Sequence, residues 1–206
     1  MSAKTAIIPE SQSPLENYKL LIGSILPRPI AFVSTLDDQG VLNLAPFSFF
    51  TAVSAQPPTI CFAPLLRFGD SSKKDTLRNI EEQREFVVNV VTEDIVAAMN
   101  QTSPEFAADV DEFEVSGLTP QVSDIVKPPR VLESPINMEC RLHKVEYIGE
   151  TGAGGGALVI GEILKFHIRN DLLDSGRIDT GGLKPVARLA GPEYTTIAGR
   201  FKLERP

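Results

Sequence analysis

The sequence predicts a mainly β protein: a β-barrel with short α-helical excursions. Residues 30–36 and 86–91 are rich in β-branched and aromatic residues, which is typical of strands. Residues 135–148 and 157–168 are two longer strand candidates, and the second has apolar residues alternating with period two. At 206 residues and 42% hydrophobic composition, the chain can bury a sizeable core. We therefore expect a polar, proline-punctuated N-terminal arm at 1–20 and a single domain at 21–206.

Composition and charge narrow the class of partner. The chain has 20 Lys and Arg against 27 Asp and Glu, a net charge of −7, which opposes attraction to phosphate backbones and anionic lipid. We therefore expect neither nucleic acid nor a membrane surface as partner. We also expect no membrane span, because no apolar run approaches ~18 residues. Cys61 and Cys140 lie far apart in apolar runs, as expected of reduced core residues in a cytoplasmic protein.

The first strands are predicted to form a hairpin that leads into a bend. Residues 30–36 are followed by the turn sequence D-D-Q-G at 37–40, and an apolar pattern resumes at Val41. Pro46 then interrupts the aromatic strand at 44–50, and proline cannot donate to a strand ladder. Pro46 therefore marks an edge, a bulge or a bend. A bend would expose backbone N–H groups to a ligand, whereas an ordinary edge strand would not.

Residues 71–80, S-S-K-K-D-T-L-R-N-I, are predicted to start a helix suited to an anion. Ser72 and Asp75 have capping-box spacing, which places the helix start near Lys73 and its end around Gln83. The unpaired N–H groups of a first turn favour phosphate, Lys74 adds a positive charge, and Thr76 adds a hydroxyl. A capped surface helix with solvated lysines is the alternative.

The middle of the chain is predicted to leave the barrel in short helices. Residues 86–91 are expected to form a buried strand, Thr92 to cap one helix, and Pro104 to occupy the first position of another. The excursion at about 95–130 would cover one end of the barrel. The glycine-rich residues 149–156 are predicted to be a hairpin tip and not a dinucleotide-binding loop, since a strand follows instead of a helix. Residues 182–194 are expected to cross the body as an irregular strap.

The two histidines offer little catalytic chemistry. No Cys or His cluster has the spacing of a metal site, and no nucleophile motif accompanies His143 or His167. We expect no metal site and a structural His143. His167, near the end of the long strand, is the one candidate for a hydrogen-bond donor or proton carrier at a site.

Four segments in order carry a resemblance to a known family. They are R-P-I-A-F-V-S-T at 28–35, N-L-A-P-F-S-F-F at 43–50, K-D-T-L-R-N-I at 74–80 and F-V-V-N at 86–89. Together they resemble the flavin reductase-like family with its FMN-binding split barrel, and the similarity extends from about residue 20 to residue 194.

The resemblance implies a homodimer with FMN at or near the subunit interface. Its isoalloxazine ring would lie against the bend formed by Ala45, Pro46, Phe47, Ser48 and Phe49, with Ser34 and Thr35 nearby. Its phosphate would lie on the segment containing Ser71, Ser72, Lys74, Asp75 and Thr76. Arg28, Arg188 and Tyr194 are further cofactor-binding candidates, because they flank family-like motifs.

The resemblance also implies an activity. We expect hydride transfer from NADH or NADPH to FMN, with electrons passed to a second acceptor such as a monooxygenase. Two alternatives stay open at this point. One is an FMN-binding electron-transfer protein without nicotinamide activity, and the other is a barrel without flavin that serves as a dimeric interaction module.

Overall fold

The computed structural model describes residues 2–149, 152 and 154–204. The α-helices are α1 (Pro14–Ser24), α2 (Asp75–Gln83), α3 (Val96–Gln101), α4 (Glu112–Ser116) and α5 (Thr180–Leu183), and 3₁₀ turns lie at Pro9–Ser11 and Asn170–Leu172. The strands are β1 (Arg28–Pro29), β2 (Ala31–Leu36), β3 (Leu42–Phe47), β4 (Phe50–Ala55), β5 (Pro58–Phe62), β6 (Glu85–Val90), β7 (Pro120–Gln121), β8 (Arg130–Val131), β9 (Ile136–Ile148), β10 (Gly156–Ile168), β11 (Leu173–Asp174), β12 (Arg177–Ile178), β13 (Val186–Arg188) and β14 (Tyr194–Thr196).

One antiparallel sheet organises the molecule. Its seven strands lie in the order β3-β2-β6-β9-β10-β5-β4. The two edge strands, β3 and β4, are consecutive in the chain and are separated only by Ser48 and Phe49. The sheet must therefore curl until its edges meet at this bend, which is the opening of a split barrel. The predicted mainly β architecture is confirmed.

The barrel interior is filled by aromatic and β-branched side chains. Phe62 lies 5.1 Å from Phe47 and 5.7 Å from Phe86, measured between ring centroids. At Gly161 a Cβ atom would lie 2.4 Å from the Phe86 ring, so glycine is what allows β10 to pass this close to the core. The β9–β10 pairing shifts register at the same position.

The excursion packs on the outer face of β2 and β3. Phe32 and Leu44 point away from the barrel interior and form a second buried cluster with residues of α3 and α4, including Met99 and Phe113. Strand β2 is therefore covered on both faces of the sheet, which explains why its residues are buried almost without interruption.

The hairpin at 30–47 and the buried strand near 86–91 are confirmed, but three predicted helix starts are wrong. Helix α2 begins at Asp75 without a capping box, because the Asp75 carboxylate is bound by Arg67 and Arg78. Helix α3 begins at Val96 instead of next to Thr92, and no helix of the described residues begins at Pro104.

The N-terminal residues are more ordered than expected. Helix α1 spans the predicted boundary at residue 20, and Ser13 and Glu16 cap it reciprocally. The strap at 182–194 also contains strands. Here β1, β13 and β14 form a small sheet in which Arg28 lies opposite Arg188, and Arg188 lies opposite Tyr194.

The glycine-rich hairpin tip falls partly outside the described residues, since residues 150, 151 and 153 are not among them. Its flanking strands β9 and β10 pair antiparallel up to Ile148 and Gly156. Within the described part of the chain, no helix has the length and apolar character needed to cross a bilayer.

Candidate functional site

A cleft opens where the two edges of the barrel meet. The bend supplies one wall through Pro46, Phe47, Ser48 and Phe49. The loop at 63–68 supplies the facing wall, and Lys74 lies at the start of α2. The structure thus brings the predicted bend and the predicted phosphate segment into one cavity, although they are almost thirty residues apart in the sequence.

Aromatic rings shape one part of this cleft. Tyr18 of α1 lies 6.4 Å from Phe49 and 5.9 Å from Phe68, between ring centroids. Phe68 is 42% exposed although it is a large apolar residue. Three aromatic side chains at the mouth of a cleft suit a flat, conjugated ligand.

The cleft also has a cationic part. Lys74 and Arg67 both face Glu105, with Nζ 4.0 Å and Nε 3.6 Å from its carboxylate oxygen. Burial lowers the pKa of Lys74 and nearby Arg67 lowers it further, whereas Glu105 and Asp75 oppose this change. Within the described residues Glu105 is the one carboxylate in ion-pair distance of Lys74, and it is 58% exposed. Lys74 can therefore exchange Glu105 for an anionic ligand.

The start of α2 contributes backbone donors beside Lys74. Lys74 is the N-cap residue and its side chain makes no capping hydrogen bond. The N–H groups of the first turn point out of the helix and carry its partial positive charge. Lys74 and the backbone of this turn are the groups near the cleft that are suited to an anion.

Several side chains that were expected to bind the cofactor instead make hydrogen bonds inside the protein, which corrects the expectation for their hydroxyl groups. Ser34 is fully buried and donates to the carbonyl of Pro129 at 2.5 Å. Thr35 and Thr76 are also buried and both donate to Asn43 Oδ1, at 3.1 and 2.7 Å. The hydroxyl groups of Thr35 and Thr76 face the core between β3 and α2, and that of Ser34 faces Pro129, so none of the three points into the cleft.

That buried network was not predicted from the sequence. It also contains Asn79 of α2 and Glu112 of α4, and Glu112 accepts from Asn43 Nδ2 at 2.9 Å and from the Leu44 N–H at 3.0 Å. Burial raises the pKa of Glu112, although these hydrogen bonds oppose the rise. The network fixes the start of α2 against β3 and so positions Lys74 relative to the bend.

The rest of the phosphate segment supports the cleft without lining it. Asp75 binds Arg67 at 2.7 Å and Arg78 at 2.6 Å, and these arginines lower its pKa although burial raises it. Ser71 has a left-handed backbone with φ 60°, and the Ser72 N–H bonds Asp70. Ala45 packs against the barrel core. The two serines and Asp75 shape the loop that presents Lys74.

Arg28, Arg188 and Tyr194 line a second cavity. Its walls include Tyr18, Pro46 and Ser48, which also line the first cleft. The two cavities therefore share the bend as a common wall, and the predicted cofactor residues divide between them.

His167 lies away from both cavities. Its Nε2 is 2.6 Å from Glu139 Oε1, and the Glu139 carboxylate also accepts the N–H groups of Asp124, Ile125 and Val126. Asp124, Glu139 and His167 are close enough to hold a metal ion, but Lys165 is paired with Asp124 at 2.5 Å. The arrangement fastens the 124–126 loop to the sheet, so His167 is a structural residue.

Sequence reasoning missed Tyr18, Arg67, Phe68 and Glu105. Arg67, Phe68 and Glu105 lie in or next to proline-containing loops, where apolar residues do not recur with a helical or strand period. Tyr18 was assigned to the arm. The capping signal S-P-L-E at 13–16 could have shown that this part of the arm is a helix.

The curled sheet, the aromatic cleft and its cationic part define a split-barrel flavoprotein. The model of the "Flavin reductase like domain" family matches residues 22–183, and the chain belongs to this family of flavin reductase-type oxidoreductases.

Solved structures agree with this assignment. Nitrilotriacetate monooxygenase component B from Bacillus cereus is 41% identical with a TM-score of 0.93, and the match covers 98% of this chain and 100% of that one. The 2-nitrobenzoate 2-nitroreductase of Pseudomonas fluorescens is 33% identical with a TM-score of 0.87, covering 98% and 96%. A protein with a split barrel domain from Shewanella frigidimarina has a TM-score of 0.82 at 24% identity, covering 96% of each chain.

Proposed function

We propose that the protein is a homodimeric, FMN-dependent reductase that takes electrons from NADH or NADPH and passes them to a second acceptor. The observation that carries this proposal is that the bend and Lys74 line a single cleft. A flavin mononucleotide has an aromatic ring system at one end and a phosphate at the other, and the lining of the cleft offers complementary groups for both.

The cationic part would hold the phosphate. Lys74 supplies an ammonium group, and the first turn of α2 supplies N–H donors. Arg67 is held by Asp75 and by the Lys73 carbonyl at 2.7 Å, so it fixes the loop and adds positive potential. Thr76 would contribute through its backbone, since its hydroxyl is bound to Asn43.

The bend would orient the ring. Ser48 and Phe49 lie outside the paired registers of β3 and β4 in the described structure, and the Phe49 carbonyl accepts from the Ala63 N–H at 2.8 Å. Backbone N–H groups outside a ladder can face the polar edge of an isoalloxazine ring, where they favour added electron density. Tyr18 and Phe68 would limit access of water at the mouth of the cleft.

Bound FMN would supply the hydride-accepting chemistry, so the protein needs no acid–base pair. The chain's own residues would bind the cofactor, orient its ring and leave one face open to the nicotinamide. The relative named as a monooxygenase component supports a monooxygenase as the second acceptor, and the one named as a nitroreductase supports a nitroaromatic acceptor.

The homodimer is supported by the surface of β4. Five of its six residues are exposed, including Val53 at 57%, although it is an edge strand beside the cleft. A second copy covering this edge would place FMN at or near the interface. Light scattering of the purified protein should give twice the 22.4 kDa chain mass, and a monomer with or without FMN would contradict this part of the proposal.

One experiment tests the activity. The protein is purified, its bound chromophore identified, and FMN-loaded protein mixed anaerobically with NADH or NADPH while the flavin absorbance is followed. We expect bleaching with at least one donor at a rate well above that of free FMN. Tight FMN binding without such acceleration would indicate an electron-transfer protein, and no FMN binding would overturn the proposal.

A further inference from the structure

The small sheet places two arginines side by side. Arg28 of β1 and Arg188 of β13 are directly opposite each other in the antiparallel register. Like charges at such positions destabilise a strand pair. No carboxylate of the described residues lies within ion-pair distance of either guanidinium group, although the chain carries a net charge of −7.

Arg28 holds this pair beside the bend. It is only 4% exposed and makes four hydrogen bonds, to the carbonyls of Ile22, Ile25 and Leu189 and to Ser48 Oγ at 3.3 Å. Neutral carbonyls satisfy its N–H groups without neutralising its charge. Burial lowers the pKa of Arg28, and repulsion from Arg188 lowers it further.

Arg188 is oriented but has donors to spare. Its guanidinium lies 4.5 Å from the centroid of the Tyr194 ring, donates to the Tyr194 hydroxyl, and donates to the Gly191 carbonyl at 2.6 Å. Tyr194 in turn donates to Asn100 Oδ1 at 2.8 Å. An arginine has five N–H donors, so the remaining ones of Arg188 have no partner among the described residues.

The row formed by Arg28, Arg188 and Tyr194 lines the second cavity, which shares Pro46 and Ser48 with the cleft. From this geometry we propose that the cavity binds an oxyanion, a carboxylate or a phosphate, carried by the molecule that exchanges electrons with the flavin. An anion here would reduce the repulsion between the two arginines, and its oxygen atoms would accept hydrogen bonds from the planar guanidinium group of Arg188. This inference rests on the proposed function for the position of the flavin.

The position of the anion site would make the protein select substrates that carry an anionic group. A ligand with its reactive ring on the bend and its anionic group at Arg188 would be held at two points, which restricts its orientation over the flavin. Neutral molecules of the same shape would lack the second point. Arg28, Arg188 and Tyr194 would therefore serve the second ligand instead of FMN itself.

The test uses probes that cannot reduce flavin. FMN-loaded protein is titrated by calorimetry with benzoate, which has the carboxylate of an aromatic acceptor, and with NAD⁺ and NADP⁺, which carry the phosphates of a donor. Benzamide is the neutral control. The variant is Arg188→Gln, with Arg141→Gln as a matched control, because Arg141 is an exposed arginine of β9 paired with Glu162.

We expect at least one anionic probe to saturate the wild type and to bind Arg188→Gln about 10- to 100-fold more weakly, the loss typical of a charge-assisted contact. Arg188→Lys should bind with intermediate affinity. Benzamide should bind weakly to all variants, and Arg141→Gln should match the wild type. Saturation by benzoate identifies an acceptor carboxylate, and saturation by the nucleotides identifies a donor phosphate.

A separate FMN titration keeps the two proposals distinct. FMN affinity should change less than about twofold in Arg188→Gln, since Arg188 lines the second cavity and not the cleft that contains Lys74, and salt screens its charge. If Arg188→Gln loses FMN as strongly as it loses the probes, Arg188 belongs to the flavin site and the inference is wrong. The inference is also wrong if the wild type binds FMN but no anionic probe. Failure of the wild type to bind FMN would instead overturn the proposed function.

Discussion

Lys73 and Lys74 are adjacent lysines with different surroundings. Lys73 points away from the cleft, with its Nζ 2.6 Å from Glu81 and over the Tyr147 ring. Lys74 lines the cleft and faces Glu105. The pair allows a test in which one position carries the effect and its neighbour serves as the control.

Lys74→Ala should weaken FMN binding about 10- to 100-fold and riboflavin binding less than about threefold, because only FMN carries the phosphate. Fluorescence titration of both flavins measures this difference. Lys73→Ala should leave both affinities close to those of the wild type. Equal losses of FMN and riboflavin in Lys74→Ala would place the phosphate elsewhere.

Glu105 should oppose phosphate binding, because its carboxylate faces Lys74 and Arg67 in the absence of ligand. Glu105→Gln should tighten FMN up to about fivefold, the range of an exposed ion pair, and leave riboflavin unchanged. The same titration measures it, at low ionic strength where the effect is largest. Weaker FMN binding in this variant would mean that Glu105 helps to hold the ligand.

For single residues, the sequence predicted which residue types lie near the site better than it predicted where their side chains point. Pro46 and Lys74 could be chosen because a proline interrupts the strand backbone wherever it stands, and a long lysine side chain at a helix start carries its charge to the surface beside the free N–H groups. The hydroxyl groups of Ser34, Thr35 and Thr76 lie in the core, because a short polar side chain near a site points either into the core or into the cleft. The partners that decide the direction are Pro129 for Ser34 and Asn43 for Thr76, which are distant in sequence, and Asn43 for Thr35, which lies across the hairpin.

Among the elements, β9 anchors the 124–126 loop through Glu139. This carboxylate is fully buried, and its pKa is lowered because the loop amides and His167 outweigh the raising effect of burial. A carboxyl group with a lowered folded pKa stabilises the fold above its unfolded pKa of about 4.3, and the contribution is lost as the pH falls through the folded pKa.

Glu139→Gln should therefore lower the free energy of unfolding by about 2–4 kcal/mol at pH 7, since buried donors lose their charged acceptor. The difference from wild type should shrink below about pH 4. Urea unfolding at several pH values measures both. The control Glu162→Gln, in an exposed pair with Arg141, should cost less than about 1 kcal/mol. A pH-independent difference would contradict the role assigned to the charge.

Strands were easier to predict than helix starts, for a physical reason. Strand β2 of the hairpin at 30–47 is a run of β-branched and aromatic residues and is buried on both faces, so the local composition and the fold agree. Capping signals are weaker than tertiary contacts. The sequence S-P-L-E at 13–16 caps α1, whereas the comparable pair Ser72 and Asp75 does not cap α2, because Arg67 and Arg78 take the carboxylate.

For the whole molecule, FMN should act as a stabilising ligand. At about 100 times its dissociation constant it should add about 2.7 kcal/mol, which raises the Tm by roughly 5–10 °C for a domain of this size. The chain has no tryptophan, so circular dichroism or calorimetry is the suitable measurement. Lys74→Ala should show a smaller shift at the same FMN concentration. An unchanged Tm in the wild type would contradict binding to the folded state.

The strand order also bears on how the protein is made. Strand β5 pairs with β10, with Ile60 opposite Gly161, so its partner leaves the ribosome about a hundred residues later. Until then β4 and β5 can form only a hairpin, which is marginally stable alone. The hairpin already brings Ala63 next to Phe49, but β3 and β4 become edges of one curled sheet only when β9 and β10 join β6 to β5, so a complete cleft, and with it cofactor loading, requires β10 to have been synthesised.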